Sequence, residues 1–275
     1  MAFEKIFTGA DKNGNLRLLQ LTDTHLFANR GTGLLGINTL DSFRAVLSQV
    51  SADQIGFDWV MATGDISQDH SERSYERFME EICILNRPVL WLPGNHDMQP
   101  VMNTSLHAGG FSSAKHLISD YWQLILLDTQ VPQYPHGYLC REQLDFLADA
   151  LSCYPEKYTL ILMHHQSCPI GCRWLDQHNL KNTEDFHKII AGRHHVKAVL
   201  FGHIHQNFEY QQNGVAYIAS PSTCIQFLPL SNDFALDYQQ PGYRYLTLAA
   251  DGKIVTRVKR LTGNQFLPDN QSQGY

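Results

Sequence analysis

No stretch of the chain approaches the ~20 consecutive apolar residues needed to cross a bilayer, and the opening MAFEKIFTGADKNGN holds no apolar core of export-signal length. No membrane-spanning helix is therefore expected, and the chain reads as cytoplasmic. Cysteine is sparse. Of the six, only Cys168 and Cys172 lie close together, and in a long chain without an export signal they read as reduced thiols, not a disulfide framework. A zinc clip there would need two more closely spaced ligands; with only His178 nearby the pattern is incomplete. Runs of positive charge are missing too. The 21 Lys and Arg residues are scattered and the formal net charge is −6, which leaves no electrostatic footprint for gripping a nucleic-acid backbone.

What is present suits one globular domain over residues 1–275: hydrophobic residues make up 43% of the composition and charged ones 17%, enough for a substantial core. The core is expected over about 16–262. The polar, aperiodic tail 263–275 reads as a mobile terminus, with a partner-binding arm as the alternative.

Short apolar runs recur as LRLLQL from Leu16, FDWVMA from Phe57, PVLWL from Pro88, LILL from Leu124, YTLILM from Tyr158 and KAVLF from Lys197. Each has the length of a strand buried on both faces. Helical spacing intervenes at Phe43, Val46, Leu47 and Val50, at Tyr75, Phe78, Met79 and Ile82, and at Leu144, Leu147, Ala148 and Leu151. Beyond Gly202, Asn213-Gly214 and Asp251-Gly252 each separate two strand-like runs, as hairpin turns do. The class is therefore α/β, with sheets packed together and helices outside.

Ligand-type side chains follow five of the apolar runs: Asp23 and His25; Asp65; Asn95 and His96; His164 and His165; His203 and His205. Loops at the carboxyl ends of strands converge on a common crevice. A glycine precedes Asp65, Asn95 and His203, where the backbone must turn sharply. Each cluster alone is an ordinary turn or a satisfied core histidine; it is their conjunction that points to chemistry. Imidazole, carboxylate and amide together suit two borderline or hard divalent ions, Fe, Zn, Mn or Co; Fe or Mn is the expected pair, with Zn or Co as the alternatives. Two such ions about 3.5–4 Å apart share a water, lower its pKa and clamp a phosphoryl group. Asp65 is the candidate bridge, and a closed zinc-structural site, Cys-rich and short-spaced, does not match this set.

The order Asp-x-His, Gly-Asp, Gly-Asn-His-Asp, His, Gly-His-x-His, from about Leu16 to His205, resembles the calcineurin-like metallophosphoesterase superfamily. That resemblance implies a four-layer αββα sandwich of two mixed sheets flanked by helices. It implies Asp23, His25, Asp65 and His205 around one metal, and Asp65, Asn95, His164 and His203 around the other. His96 is left free of metal and able to protonate a leaving oxygen, with Asp97 as its orienting partner. His165 either supports His164 or exchanges ligand roles with it, and His164 is preferred. Asp69, Asp128 and His136 are candidate supports for the centre or solvated surface residues.

LTDTHLF, ATGDISQD, WLPGNHD, MHH, FGHIHQ and ASPSTCIQF further resemble the bacterial class III cyclic-nucleotide phosphodiesterases. This implies hydrolysis of 3′,5′-cyclic AMP to 5′-AMP by attack of a metal-bridging hydroxide. The substrate would contact His25, Asp65, Asn95, His96 and His205, and Phe227 would touch the base or belong to the core. Gln166-Ser167 stands where many superfamily members carry proline. A broader phosphodiesterase, a phosphomonoesterase and a non-catalytic scaffold are the rival readings, and subunit number, a homodimer included, is open.

Overall fold

The structure, a computed structural model, describes residues 3–269. Its centre is a pair of stacked mixed sheets. The five-stranded sheet runs Ile254–Arg260, Gly242–Leu248, Leu16–Leu21, Trp59–Ala62, Val89–Trp91; the last three strands are parallel to one another and the first two antiparallel. The seven-stranded sheet runs Lys5–Phe7, His116–Ile118, Trp122–Leu126, Tyr158–Leu162, Val196–Phe201, Val215–Ala219, Phe208–Gln212.

The side-chain period of two explains the layering. In Leu16–Leu21, Leu16 and Leu18 enter the core between the sheets, whereas Leu19 and Leu21 pack under the outer helices Thr39–Ala52 and Glu72–Ile82. On the other sheet Leu160, Leu162, Ala198 and Leu200 face inward. Ile161, Met163, Val199 and Phe201 face the outer layer with Arg141–Cys153 and Thr183–Ile190. Every strand with two buried faces thus separates two cores, which makes the four-layer αββα arrangement. No helix among the described residues is long and apolar enough to cross a membrane.

Both expected hairpins form, and Asn213 and Gly214 take the positive φ of their turn (52° and 81°). The helix Gln99–Ala108 was not legible: it opens on Gln-Pro and buries only Met102, Ser105 and Leu106. The tail differs from expectation through Asp269. Phe266, 7% exposed, joins the outer core, its backbone exchanges two hydrogen bonds with the Gln240 amide (3.1 and 3.2 Å), and the Asp269 N–H donates to the Leu35 carbonyl. One aromatic ring thus anchors an otherwise polar segment; positions 270–275 of that tail lie outside the described residues.

Phe266→Ala should lower stability by about 3 kcal/mol, the low end of the range for a buried phenylalanine because a terminal segment can relax. The denaturation midpoint in urea measures this, and an unchanged midpoint would return the segment to a mobile terminus.

Candidate metal centre

The five clusters meet at one end of the sandwich, in the seam between the sheets. Three come from the parallel neighbours Leu16–Leu21, Trp59–Ala62 and Val89–Trp91; two come from Tyr158–Leu162 and Val196–Phe201 in the facing sheet. Asp23, His25, Asp65, His164, His203 and His205 are all buried, while Asn95 and His96 are half-buried. Asp23, His25, Asp65, His203 and His205 share positive φ, between 46° and 66°. Strain of this kind persists where surroundings over-determine it, as at ligand-holding sites.

Asp23, His25 and His205 bring ligand-capable atoms within 4.8 Å of one another. His205 Nε2 lies 3.3 Å from Asp23 Oδ1 and 3.2 Å from His25 Nε2. Asp23, Asp65 and His164 form a second such group. Asp65 Oδ2 stands 3.2 Å from His164 Nε2 and 3.8 Å from His25 Nε2, so it faces both groups, and Asn95 Oδ1 is 3.2 Å from His164 Nε2. The third group is His164, His165 and His203.

The rear nitrogens decide what the inner ones offer. His164 Nδ1 is 2.8 Å from the Thr63 carbonyl, His205 Nδ1 3.0 Å from the Ile225 carbonyl, and His25 Nδ1 2.6 Å from Gln68 Oε1. Acceptors there require Nδ1 to carry the proton, so in the neutral ring each Nε2 turns a lone pair inward. Two lone pairs 3.2 Å apart, as at His25 and His205, repel unless a cation lies between them. Among the described residues, buried His165 Nε2 and His203 Nε2 find no hydrogen-bond partner. Burial holds the His25 pKa down to about 3 and those of His165 and His203 well below the ordinary value, so these rings stay neutral as ligation requires. His164 differs from them: burial lowers its pKa, but the Asp65 carboxylate 3.2 Å away outweighs burial and raises it to about 9, and the pair keeps Asp65 ionised against its own burial; a cation bound there would take the place of the His164 Nε2 proton. This donor set fits divalent cations.

Other expectations change. Asp97 does not orient the His96 ring; its carboxylate accepts from the backbone N–H groups of Gly94, Ile66 and Ser67 (2.9–3.1 Å) and from the Tyr75 hydroxyl, clamping two ligand loops together. Phe227, 1% exposed, stacks on His205 with ring centroids 4.3 Å apart; it belongs to the core and also lines the cavity beside the cluster. Asp69 ties the Ala28 and Ser71 loops together. Asp128 holds Gln99 and the Gln130 backbone, and His136 rests against Tyr134. Gln166, in place of proline, donates to the Leu175 carbonyl (2.9 Å) and fastens the His164 loop to the turn Arg173–Asp176.

A cavity of about 430 Å³ opens beside the cluster, lined by Asn95, His96 and His203, by Phe227, and by three further aromatic residues, Tyr134, Trp174 and Phe234. Two larger cavities, about 820 and 960 Å³, contain none of the cluster residues. The three aromatic residues escaped sequence reading, their only signal being large rings in irregular segments.

The model of the calcineurin-like phosphoesterase family matches residues 16–207. The chain belongs to that family. It is 47% identical over 261 residues to the 3′,5′-cyclic adenosine monophosphate phosphodiesterase CpdA of Escherichia coli K12, covering 94% of this chain and 95% of that protein. The CpdA of Vibrio vulnificus is 48% identical over 262 residues (95% and 96%), and a 3′,5′-cyclic-nucleotide phosphodiesterase of Nostoc 38% over 246 (90% and 92%). Among solved structures, a dimetal phosphatase from Danio rerio superposes with a TM-score of 0.60 at 16% identity, covering 88% of this chain and 98% of that one. At that identity the likeness speaks to the fold alone, and it is the sandwich of this phosphoesterase family.

Gly202 shows how closely the family's loops approach one another: a Cβ there would lie 2.2 Å from Thr22 Oγ1 and 2.9 Å from Asp23 Oδ2. Gly202→Ala should therefore displace Asp23 and lower bound metal, measured as ions per chain, by at least half. Wild-type metal content in a folded Gly202→Ala protein would contradict this.

Proposed function

We propose that the protein hydrolyses 3′,5′-cyclic AMP to 5′-AMP at a centre of two divalent ions. The observation that carries this is the position of Asp65 Oδ2, within 3.8 Å of ligand-type nitrogens on both sides. The printed activities of the relatives, at near-complete coverage, support the substrate. In this reading Asp23, His25, Asp65 and His205 hold one ion, and Asp65, Asn95, His164 and His203 the other. His165 stands by as an alternative ligand, its Nε2 grouped with His164 and His203. The mixed imidazole and oxygen donors suit Fe, Mn, Zn or Co, and of these Fe or Mn is proposed as the resident pair. When bound, the ions acidify a water and neutralise phosphoryl charge.

The chain's own groups do the rest. Thr63, Gln68 and Ile225 fix the faces that His164, His25 and His205 present. His25, Asp65, Asn95 and His205 surround the phosphate position. The His96 N–H donates to Asp65 Oδ1 (2.8 Å), which holds that residue at the cavity wall. Burial lowers the His96 pKa, and an anionic phosphate beside the ring would raise it toward neutrality, so that the imidazolium delivers its proton to the departing 3′ oxygen.

Incubation of metal-replete protein with cyclic AMP, followed by chromatographic separation of 5′-AMP from 3′-AMP, tests the reading. Predominant 5′-AMP is expected. Mostly 3′-AMP would reverse the orientation, and intact cyclic AMP alongside rapid cleavage of another diester or of a monoester would remove the substrate assignment. For His96→Ala, hydrolysis of cyclic AMP should slow by about 10²–10⁴, with metal content unchanged. Esters with a nitrophenolate leaving group should suffer far less, because that anion needs no proton. Equal losses on both would make His96 a phosphate-positioning residue.

A further inference from the structure

The 430 Å³ cavity combines two kinds of lining: Asn95, His96 and His203 from the cluster, and the rings of Tyr134, Trp174, Phe227 and Phe234. The turn that carries Trp174, Arg173–Asp176, is pinned on three sides: the Leu175 carbonyl accepts from Gln166 (2.9 Å), Asp176 accepts from the Ile170 and Gly171 N–H groups (2.9 and 3.1 Å), and the Arg173 N–H donates to the Ser231 carbonyl (3.1 Å). The indole meets Phe234 at 5.3 Å and Phe227 at 4.9 Å, both edge-on, and Phe227 in turn lies flat on His205. A continuous run of rings therefore sets the distance and angle between Trp174 and the cluster. The ring is half-buried, in contrast to Trp59, Trp91 and Trp122, which are 8%, 2% and 0% exposed.

We propose that Trp174 and Phe234 form the slot that takes the base of the cyclic nucleotide while its phosphate lies at the cluster. This rests on the cyclic-nucleotide reading above. A ribose cyclic phosphate seated at the cluster has one large group left to place, a flat heterocycle, and the same cavity is lined by the rings of Trp174 and Phe234, which suit stacking. Its volume falls within the range of small-molecule sites. Stacking of a base on an aromatic side chain is worth ~5–150-fold in affinity, so the slot selects nucleotides from the many phosphoesters the metal centre alone would accept. Phe227 is then a positioning residue, the spacer between His205 and the indole.

Two measurements on the metal-replete protein test this. In the first, kcat/KM is compared for cyclic AMP and for a baseless ribose 3′,5′-cyclic phosphate. Trp174→Ala should reduce the preference for cyclic AMP by about tenfold or more, and Trp174→Phe should retain most of it. An unchanged preference overturns the slot, because a purely structural role would lower both substrates together. The second needs no turnover and no variant that must fold: titration with 5′-AMP should change tryptophan fluorescence, Trp174 being the half-exposed indole, whereas ribose 5-phosphate should not. Equal responses to the two ligands, or none to 5′-AMP, would also overturn it. A response specific to 5′-AMP in a protein that leaves cyclic AMP intact would sink the phosphodiesterase reading and leave the slot standing.

Discussion

A buried carboxylate shared between two sets of histidines is the constraint from which most of this site follows. Withdrawing an ionised carboxylate from water costs several kcal/mol unless opposite charge and hydrogen bonds compensate, and Asp65 is 1% exposed. One oxygen is satisfied by the His96 N–H; the other looks toward His164 and His25. The space around it is made by what is left out. A Cβ on Gly94 would lie 2.1 Å from Asp65 Oδ1, and one on Gly64 would lie 2.4 Å from His164 Nδ1. Asp97, one layer behind, gathers the N–H groups of Gly94, Ile66 and Ser67, so the loop bearing Asp65 and the loop bearing Asn95 cannot move apart without unsatisfying a second buried carboxylate. In the proposed centre a cation on each side completes the compensation, which is why the ligands fall into two groups about one aspartate.

The sandwich must hold two sheets in fixed relation for such a site to exist, since its ligands come from both. The interface is mostly Leu against Leu, which resists separation more than sliding. Polar side chains supply the register. Gln20, fully buried, donates to Thr63 Oγ1 in its own sheet's loop and to the Phe201 carbonyl of the facing strand, both at 2.9 Å. Opposite it on the neighbouring strand, buried Arg244 reaches Glu209, Thr256 and the Ala219 carbonyl. A slide of one sheet over the other would strand these donors away from water, at ~1–3 kcal/mol for each neutral group and more for the guanidinium.

The strands, the outer helices and the ligand clusters were legible in the sequence for one reason: each is set by local pattern. A run buried on both faces, such as YTLILM, announces a strand, and the polar residues at its end announce a loop with chemistry. What such runs do not announce is their partner. Leu16–Leu21 and Val196–Phe201 have the same burial pattern yet belong to different sheets, because pairing is decided by contacts far apart in the chain. The same blindness misplaced Asp97, adjacent to His96 in sequence but turned to the backbone of another loop. It also left Phe266 in a polar tail that carries a single core ring. Phe227, open in the sequence between base and core, stacks on His205 in the core and also lines the cavity.

These two kinds of information divide the function between them. The candidate ligands reside at strand ends, where backbone geometry is over-determined and one residue's side chain bonds to its neighbours' main chain; hence Asp-x-His and Gly-Asn-His-Asp are legible in the sequence. The proposed base slot resides in segments that merely hang from that frame. Trp174 sits on a four-residue turn and Phe234 in an irregular loop, reached through Gln166 and Ser231. Nothing in a metal centre of this kind distinguishes one phosphoester from another. The fold is shared with a dimetal phosphatase at 16% identity, and a shared fold does not fix what lines the cavity. It is the position of the Trp174 and Phe234 rings relative to His205, carried through Phe227, that would make a general phosphoesterase into a nucleotide-specific one.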